Sequence, residues 1–300
     1  LAAHAVVIED ERIAAVLPVP DATARYPDAQ RVMLPDHALI PGLINLHTHA
    51  AMSLMRGMAD DRALMDWLQN HIWPAEGRVV SDDFVYDGTL LACAEMLRGG
   101  ITCFNDMYFF PEATARAALH AGMRAALGII AIEFRSAYAN DAQDYLAKGM
   151  ALRDALRDEP LLSFCLAPHA TFTVSDDTFA QIATYAGELD IPVHVHLHET
   201  VQEVSDSVKE HGLRPIARLE KLGLLGPGFI AVHAVHLNQE EVTVFARHGC
   251  SVAHCPSSNL KLASGIAPVA ALLQAGVNIG LGTDGAASNN RLDLFTEMRL

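Results

Sequence analysis

Pro41-Gly42-Leu43-Ile44-Asn45-Leu46-His47-Thr48-His49 is an apolar run that ends in two histidines spaced i, i+2. In an extended strand, positions two apart share a face. His47 and His49 therefore project together where a buried strand runs out into a loop. Two imidazoles converging from a strand end make half of a metal site. The fold that could carry the other half is read by working outward in both directions.

Toward the N-terminus, Ala5–Ile8 and Ile13–Leu17 are short strand-like pieces, with Glu9-Asp10-Glu11-Arg12 as the turn of a hairpin. Residues 1–35 are too few to bury a core, and they are expected to form part of a small β-sandwich domain. Toward the C-terminus the pattern alternates. After the first strand, expected over Leu39–Leu46, come helical stretches at Ala63–Ile72 and Asp83–Arg98, the latter ending at Gly99-Gly100. Further strands are expected at Ile101–Met107, Arg124–Ile132, Leu161–Leu166, Ile191–Leu197, Phe229–Val235, Ser251–His254 and Val277–Leu281, with helices between them. Eight strands alternating with helices in about 260 residues imply a parallel sheet closed as a (β/α)8 TIM-like barrel over residues 36–300. A doubly wound open sheet is the competing reading, but its first strand lacks a glycine-rich phosphate loop. The chain stops at Leu300, inside the helix expected after strand eight, so a truncated last helix is expected. It begins without Met, and a short preceding piece is expected as well.

With 51% hydrophobic residues, 300 residues suffice for one large core. The net charge of −15 weighs against a nucleic-acid backbone as partner, though not against a nucleoside, which carries no phosphate. The sequence has no apolar run long enough to span a bilayer and no signal-peptide pattern, so a cytoplasmic protein without a membrane partner is expected. Cys93, Cys103, Cys165, Cys250 and Cys255 show no paired framework and read as reduced. Cys255, beside His254, has a metal ligand or nucleophile as its alternative reading.

In such a barrel, reactive groups sit at the C-terminal ends of the strands. Those ends carry His47 and His49, then His169, then His194, His196, His198 and Glu199, then His233 and His236, then His254, and last Asp284. One buried histidine is ordinary, whereas a ring of metal-ligand side chains on successive strands is not. On the fifth strand His194, His196 and His198 share a face, so not all of them need be ligands.

Five segments, read in order, resemble the amidohydrolase superfamily, and within it the 5′-methylthioadenosine/S-adenosylhomocysteine deaminases and related chlorohydrolases. They are the opening stretch, His-Leu-His-Glu (196–199), Ala-Val-His-Ala-Val-His-Leu (231–237), Ser-Ser-Asn-Leu-Lys-Leu (257–262) and Leu-Gly-Thr-Asp-Gly-Ala-Ala-Ser-Asn-Asn (281–290). The resemblance implies one divalent ion, zinc with iron as the alternative, held by His47, His49, His196 and Asp284. Binuclear relatives use a lysine after strand four, and Leu166-Ala167-Pro168-His169 has none. It further implies Glu199 as proton shuttle, His233 as the group that steadies the adduct, Asp284 as proton acceptor and His169 facing the substrate. Trp67 and Glu76 match the segment covering the nucleoside, Glu76 taking the ribose diol. Arg135, just past strand three, is expected to meet a homocysteine carboxylate. His236 reads as structural, and His254 as either a pocket residue or a buried strand residue. The expected activity is removal of the 6-amino group of an adenine nucleoside by a homo-oligomeric enzyme. Guanine deamination or chlorotriazine hydrolysis is the alternative within the fold, and a non-catalytic barrel scaffold the alternative outside it.

Overall fold

The computed structural model describes residues 2–10 and 12–300. The chain divides into two compact units, Leu1–Pro41 and Gly42–Leu300. In the first, β1 (His4–Glu9) pairs antiparallel with β2 (Arg12–Pro18), with a bulge at Val7/Ile8. The turn passes through Asp10, whose φ of 52° is left-handed. Glu11, within the expected turn, lies outside the described residues. A seven-residue helix, Val19–Arg25, follows; Pro20 suits its first turn because a proline there forfeits no hydrogen bond.

The second unit is an eight-stranded parallel sheet whose spatial order is its sequence order. Its strands are β3 (Leu43–Thr48), β4 (Ile101–Asp106), β5 (Arg124–Ala131), β6 (Leu162–Pro168), β7 (Val193–Leu197), β8 (Phe229–His233), β9 (Ser251–His254) and β10 (Asn278–Leu281). The sheet is a nearly closed TIM-like barrel. At the seam, Asp284 N–H donates to the His47 carbonyl (2.9 Å), and Asn45 exchanges hydrogen bonds with Thr283 at 2.8 and 2.9 Å. Gly280 permits this approach, since a Cβ there would lie 2.3 Å from the Leu46 side chain. The first barrel strand starts at Leu43, not at Leu39 as the apolar run suggests. Pro41 has no N–H for a ladder, and a Cβ on Gly42 would lie 2.2 Å from Thr102 Oγ1.

The helices follow their caps. Ser81 accepts from Phe84 N–H to open Asp82–Arg98, two aspartates occupy the first turn, and Gly99-Gly100 closes it. A larger departure is the segment after the first strand. The helix expected to end at Ile72 runs from Leu64 to Val79, with a π turn over Leu68–Ile72. Pro74 cannot donate to the carbonyl four residues back and its ring crowds that carbonyl, so the helix widens just ahead of it. A short helix not anticipated from the sequence, Pro256–Lys261, follows β9. Among the described residues no helix is long and apolar enough to cross a membrane. All five cysteines are free.

Candidate active site

The strand ends bring the predicted donors together. His47 Nε2 and His49 Nε2 each lie 3.3 Å from Asp284 Oδ1, and His196 Nε2 lies 3.1 Å from His47 Nε2. The opposite ring nitrogens are engaged. His49 Nδ1 meets the Met107 carbonyl, His196 Nδ1 the His169 carbonyl at 2.7 Å, and His47 Nδ1 the His194 Nε2 at 3.1 Å. A ring that donates from Nδ1 to a carbonyl presents a bare lone pair at Nε2, the form in which imidazole ligates a metal. Converging lone pairs and a carboxylate oxygen repel one another unless a cation lies between them. The donor set fits a divalent ion bound by nitrogen and oxygen and, with three imidazoles, does not distinguish zinc from iron.

The electrostatics agree with that chemistry. Burial, aided by neighbouring imidazoles, lowers His47 to about 4 and His196 well below the usual imidazole range, so both are neutral. Burial would raise the Asp284 carboxyl, but the imidazoles of His47 and His49 that face it outweigh this and hold the group well below the usual range. Its outer oxygen accepts from Ser258 Oγ at 2.6 Å.

Beside this cluster stand Glu199 and His233. Glu199 is buried, which raises its carboxyl; it accepts from Ser264 Oγ at 3.1 Å, and its other oxygen lies 3.6 Å from His233 Nε2. His233 Nδ1 is 2.8 Å from Asn259 Oδ1, which can only accept, so Nδ1 carries a proton and Nε2 faces the pocket. Left-handed backbone at His198 (φ 55°), His233 (71°), Ala234 (49°) and Asp284 (59°) turns these strand ends. Outliers of this kind gather at functional sites.

Over the cluster lies a cavity lined at its base by His49, His196, Glu199, His233 and Asp284. Its walls include Trp67 and Glu76 from the helical segment, together with Tyr108 and His169. Glu76 accepts from Tyr108 Oη at 2.7 Å, and burial lifts its carboxyl to about 7. Arg135 is exposed and lines a second cavity, which shares Trp73, Glu76, Phe109 and Phe134 with the first.

His198 departs from the face it was expected to share with His194 and His196. The strand ends at Leu197, and the left-handed turn sends its ring to Ile216 N–H and the His236 carbonyl. His236 is tied to the Ser264 carbonyl at 2.7 Å. Among the described residues two groups of donor atoms lie close enough to share an ion, His47 with His49 and Asp284, and His47 with His196 and His233; His254 and Cys255 belong to neither group and line neither cavity.

Residues 38–300 match the Amidohydrolase family. The chain belongs to that family. This amidohydrolase is 49% identical over 98% of its length to the 5-methylthioadenosine/S-adenosylhomocysteine deaminase of Saccharophagus degradans, covering 66% of that protein. It is 43% identical over 98% of its length to the 5′-deoxyadenosine deaminase of Methanothermobacter thermautotrophicus, covering 68%. The crystal structure of an adenosine deaminase from Xanthomonas campestris with bound zinc superposes with a TM-score of 0.98 and 52% identity, over 100% of this chain and 68% of that one. The amidohydrolase thus spans about two thirds of the length of the curated relatives it matches.

Ser258 and Asn259 orient Asp284 and His233, a pairing that the sequence analysis does not contain. Both stand on the unforeseen helix at Pro256–Lys261, 26 residues from their partners, a separation at which sequence spacing carries no signal. Their only trace was membership of the Ser-Ser-Asn-Leu-Lys-Leu segment.

Proposed function

We propose that the chain catalyses hydrolytic removal of the 6-amino group of an adenine nucleoside with one divalent ion, zinc in the first instance, held by His47, His49, His196 and Asp284. The observation that carries this reading is a single apolar cavity whose base holds the donor cluster with Glu199 and His233, and whose wall holds Glu76. The relatives named as deaminases of methylthioadenosine, S-adenosylhomocysteine and 5′-deoxyadenosine supply the substrate class.

The ion, when bound, supplies a water acidified toward neutrality. Asp284 would accept a proton from the attacking water. Glu199, whose carboxyl burial raises, gives a proton to the ring nitrogen next to the amino-bearing carbon, which becomes electrophilic. The water oxygen bonds to that carbon, and His233 Nε2 steadies the tetrahedral adduct. The proton on Asp284 passes to the amino nitrogen, the carbon–nitrogen bond breaks, and ammonia departs. Glu199 recovers a proton from the adduct hydroxyl, leaving an inosine-type product. Trp67 packs on the apolar part of the nucleoside, Glu76 accepts from the ribose hydroxyls, and His169 faces the base. Arg135 stands at the second cavity, where a charged 5′ extension would emerge.

The test is an ammonia-release screen over adenosine, methylthioadenosine, S-adenosylhomocysteine, 5′-deoxyadenosine, guanine and a chlorotriazine, with metal content measured on the same samples. Highest kcat/KM on an adenine nucleoside, with about one zinc or iron per chain, is the expected result. Faster turnover of guanine or the triazine would replace the substrate assignment. Protein that is folded but metal-free and inert would favour a scaffold.

A further inference from the structure

Glu203 is a buried carboxylate one helical turn beyond Glu199, at the start of the helix Val201–His211. Its position is that of the acidic residue of a capping box, which bonds back to the N–H of the cap residue. The helix Gln239–His248 shows the ordinary arrangement: Asn238 caps Glu241, and Glu241 returns to Asn238 N–H at 2.8 Å. Glu203 does something else. Its N–H donates to the cap Thr200 Oγ1 at 3.1 Å, but its carboxylate reaches past Thr200 to earlier amides. One oxygen accepts from Glu199 N–H at 2.7 Å; the other accepts from His198 N–H at 3.1 Å and from Thr171 Oγ1 at 2.7 Å.

These three donors converge on one side chain from two strand ends. Thr171 lies two residues past His169, beyond β6, and His198-Glu199 lies beyond β7. His198 is held at φ 55°, a conformation that costs a β-carbon-bearing residue energy unless its surroundings impose it. A helix cap would need one bond to Thr200 N–H, whereas the bonds observed go to the residue in left-handed conformation and to the one after it. Burial lifts the Glu203 carboxyl to about 7, against the hydrogen bonds from Thr171 and the two amides that lower it. Three donors aimed at the carboxyl suit the ionised form.

We infer that Glu203 is a positioning residue: it fixes the His198–Glu199 backbone so that the Glu199 carboxyl is held between Ser264 and His233. The inference rests on the proposed role of Glu199 as proton carrier. It assigns Glu203 to catalysis through Glu199, not to substrate binding and not to helix stability alone.

The test compares wild type, Glu203→Gln, Thr171→Val, Glu199→Gln and, as a stability control, Asn238→Ala. Glu203→Gln is nearly isosteric but presents an N–H to one of the donors. It is expected to keep the metal and to lose about ten- to a hundredfold in kcat with KM within about threefold, the size of one charge-assisted hydrogen bond. In metal-free protein, amide exchange over residues 197–200 should quicken. Thr171→Val, which removes one of the three bonds, should lose kcat severalfold, again with KM unmoved, and it decides the matter if Glu203→Gln fails to fold. Asn238→Ala should lower Tm and leave kcat alone. Wild-type kcat in Glu203→Gln, or in Thr171→Val where Glu203→Gln does not fold, would overturn the inference while leaving the deaminase reading intact. So would a kcat loss that tracks Tm as in Asn238→Ala. Full activity in Glu199→Gln would instead remove the reading on which the inference stands.

Discussion

The base and the wall of the cavity are built on different terms. At the base, the donors leave strand ends fixed by the ladder. The outer nitrogens of His47, His49 and His196 are tied down, and Asp284 is held by Ser258 Oγ and by Gly285 N–H. In the wall, a helix with a π turn carries Trp67, Trp73 and Glu76, and among the described residues the Glu76 carboxylate has only Tyr108 Oη as a hydrogen-bond partner. Trp67 Nε1 is buried with no partner among the described residues, and Trp73 meets Phe134 at a 5.6 Å tilted contact. The entry to this segment is tied by Lys261, paired with Asp60 at 2.6 Å and donating to the Ala287 carbonyl at 3.0 Å. Redundant constraint at the base suits chemistry that tolerates little displacement. Sparse constraint in the wall suits recognition, which can vary without disturbing the ion.

Breaking the base should therefore cost everything. His196→Ala removes a proposed ligand whose neighbours remain in place. Metal content, measured by elemental analysis, is expected to fall to background and turnover with it. That exceeds the roughly 10- to 100-fold that loss of an outer-shell partner costs. Full metal occupancy in this variant would mean the ion sits elsewhere.

Next in size is Glu199→Gln. Glu199 lies beside the donors but belongs to neither donor group. The variant should keep the metal while turnover drops by about 100- to 10,000-fold, the range for loss of a general acid–base group. Metal lost together with activity would make Glu199 a ligand.

The contrast also explains what could be read from the chain alone. The barrel was legible because each strand is a short apolar run ending in a turn, and because histidines two apart must share a face. Parity failed where the backbone left the extended region: His198 was predicted alongside His194 and His196, but φ 55° turned it away. The wall was harder to read. Trp67 and Glu76 could be placed by resemblance, yet Tyr108, the partner of Glu76, comes from the end of another strand, 32 residues away. Glu203 was not read at all: Thr200 and Glu203 have capping-box spacing, which marks only a helix start. Which amide it accepts from is settled by tertiary structure.

The wall can be probed through Glu76→Ala. Hydrogen bonds to a charged group are each worth roughly 1.5–3 kcal/mol, so kcat/KM for a ribonucleoside should fall by about ten- to a thousandfold. The 2′,3′-dideoxy analogue has no hydroxyls to donate and should change little. Equal losses on both substrates would make Glu76 a structural residue and would erase the proposed division between base and wall.

The smallest expected effect is also the most local. Burial raises the Glu76 carboxyl to about 7, against the Tyr108 hydrogen bond and the field of His49, which both lower it. A carboxylate accepts from two ribose hydroxyls, whereas a carboxylic acid has lost one of those sites. KM for a ribonucleoside should therefore fall as pH rises through about 7, by at most about tenfold across two pH units. The dideoxy analogue should show no such change. A bound cation favours the ionised form, so the midpoint in metal-loaded enzyme should lie at or below about 7. Tyr108→Phe removes a donor that lowers the carboxyl, and the midpoint should move to higher pH. Stability carries the opposite sign. The folded state holds this proton more tightly than the unfolded state, so the Glu76 contribution to stability falls as pH rises from the ordinary carboxylate range through about 7. Glu76→Gln should accordingly gain Tm relative to wild type above pH 7, and the gain should vanish below the ordinary glutamate range. If the Tm difference between Glu76→Gln and wild type is the same at both ends, Glu76 does not titrate in this window, and the pH dependence of KM must come from the base of the cavity instead.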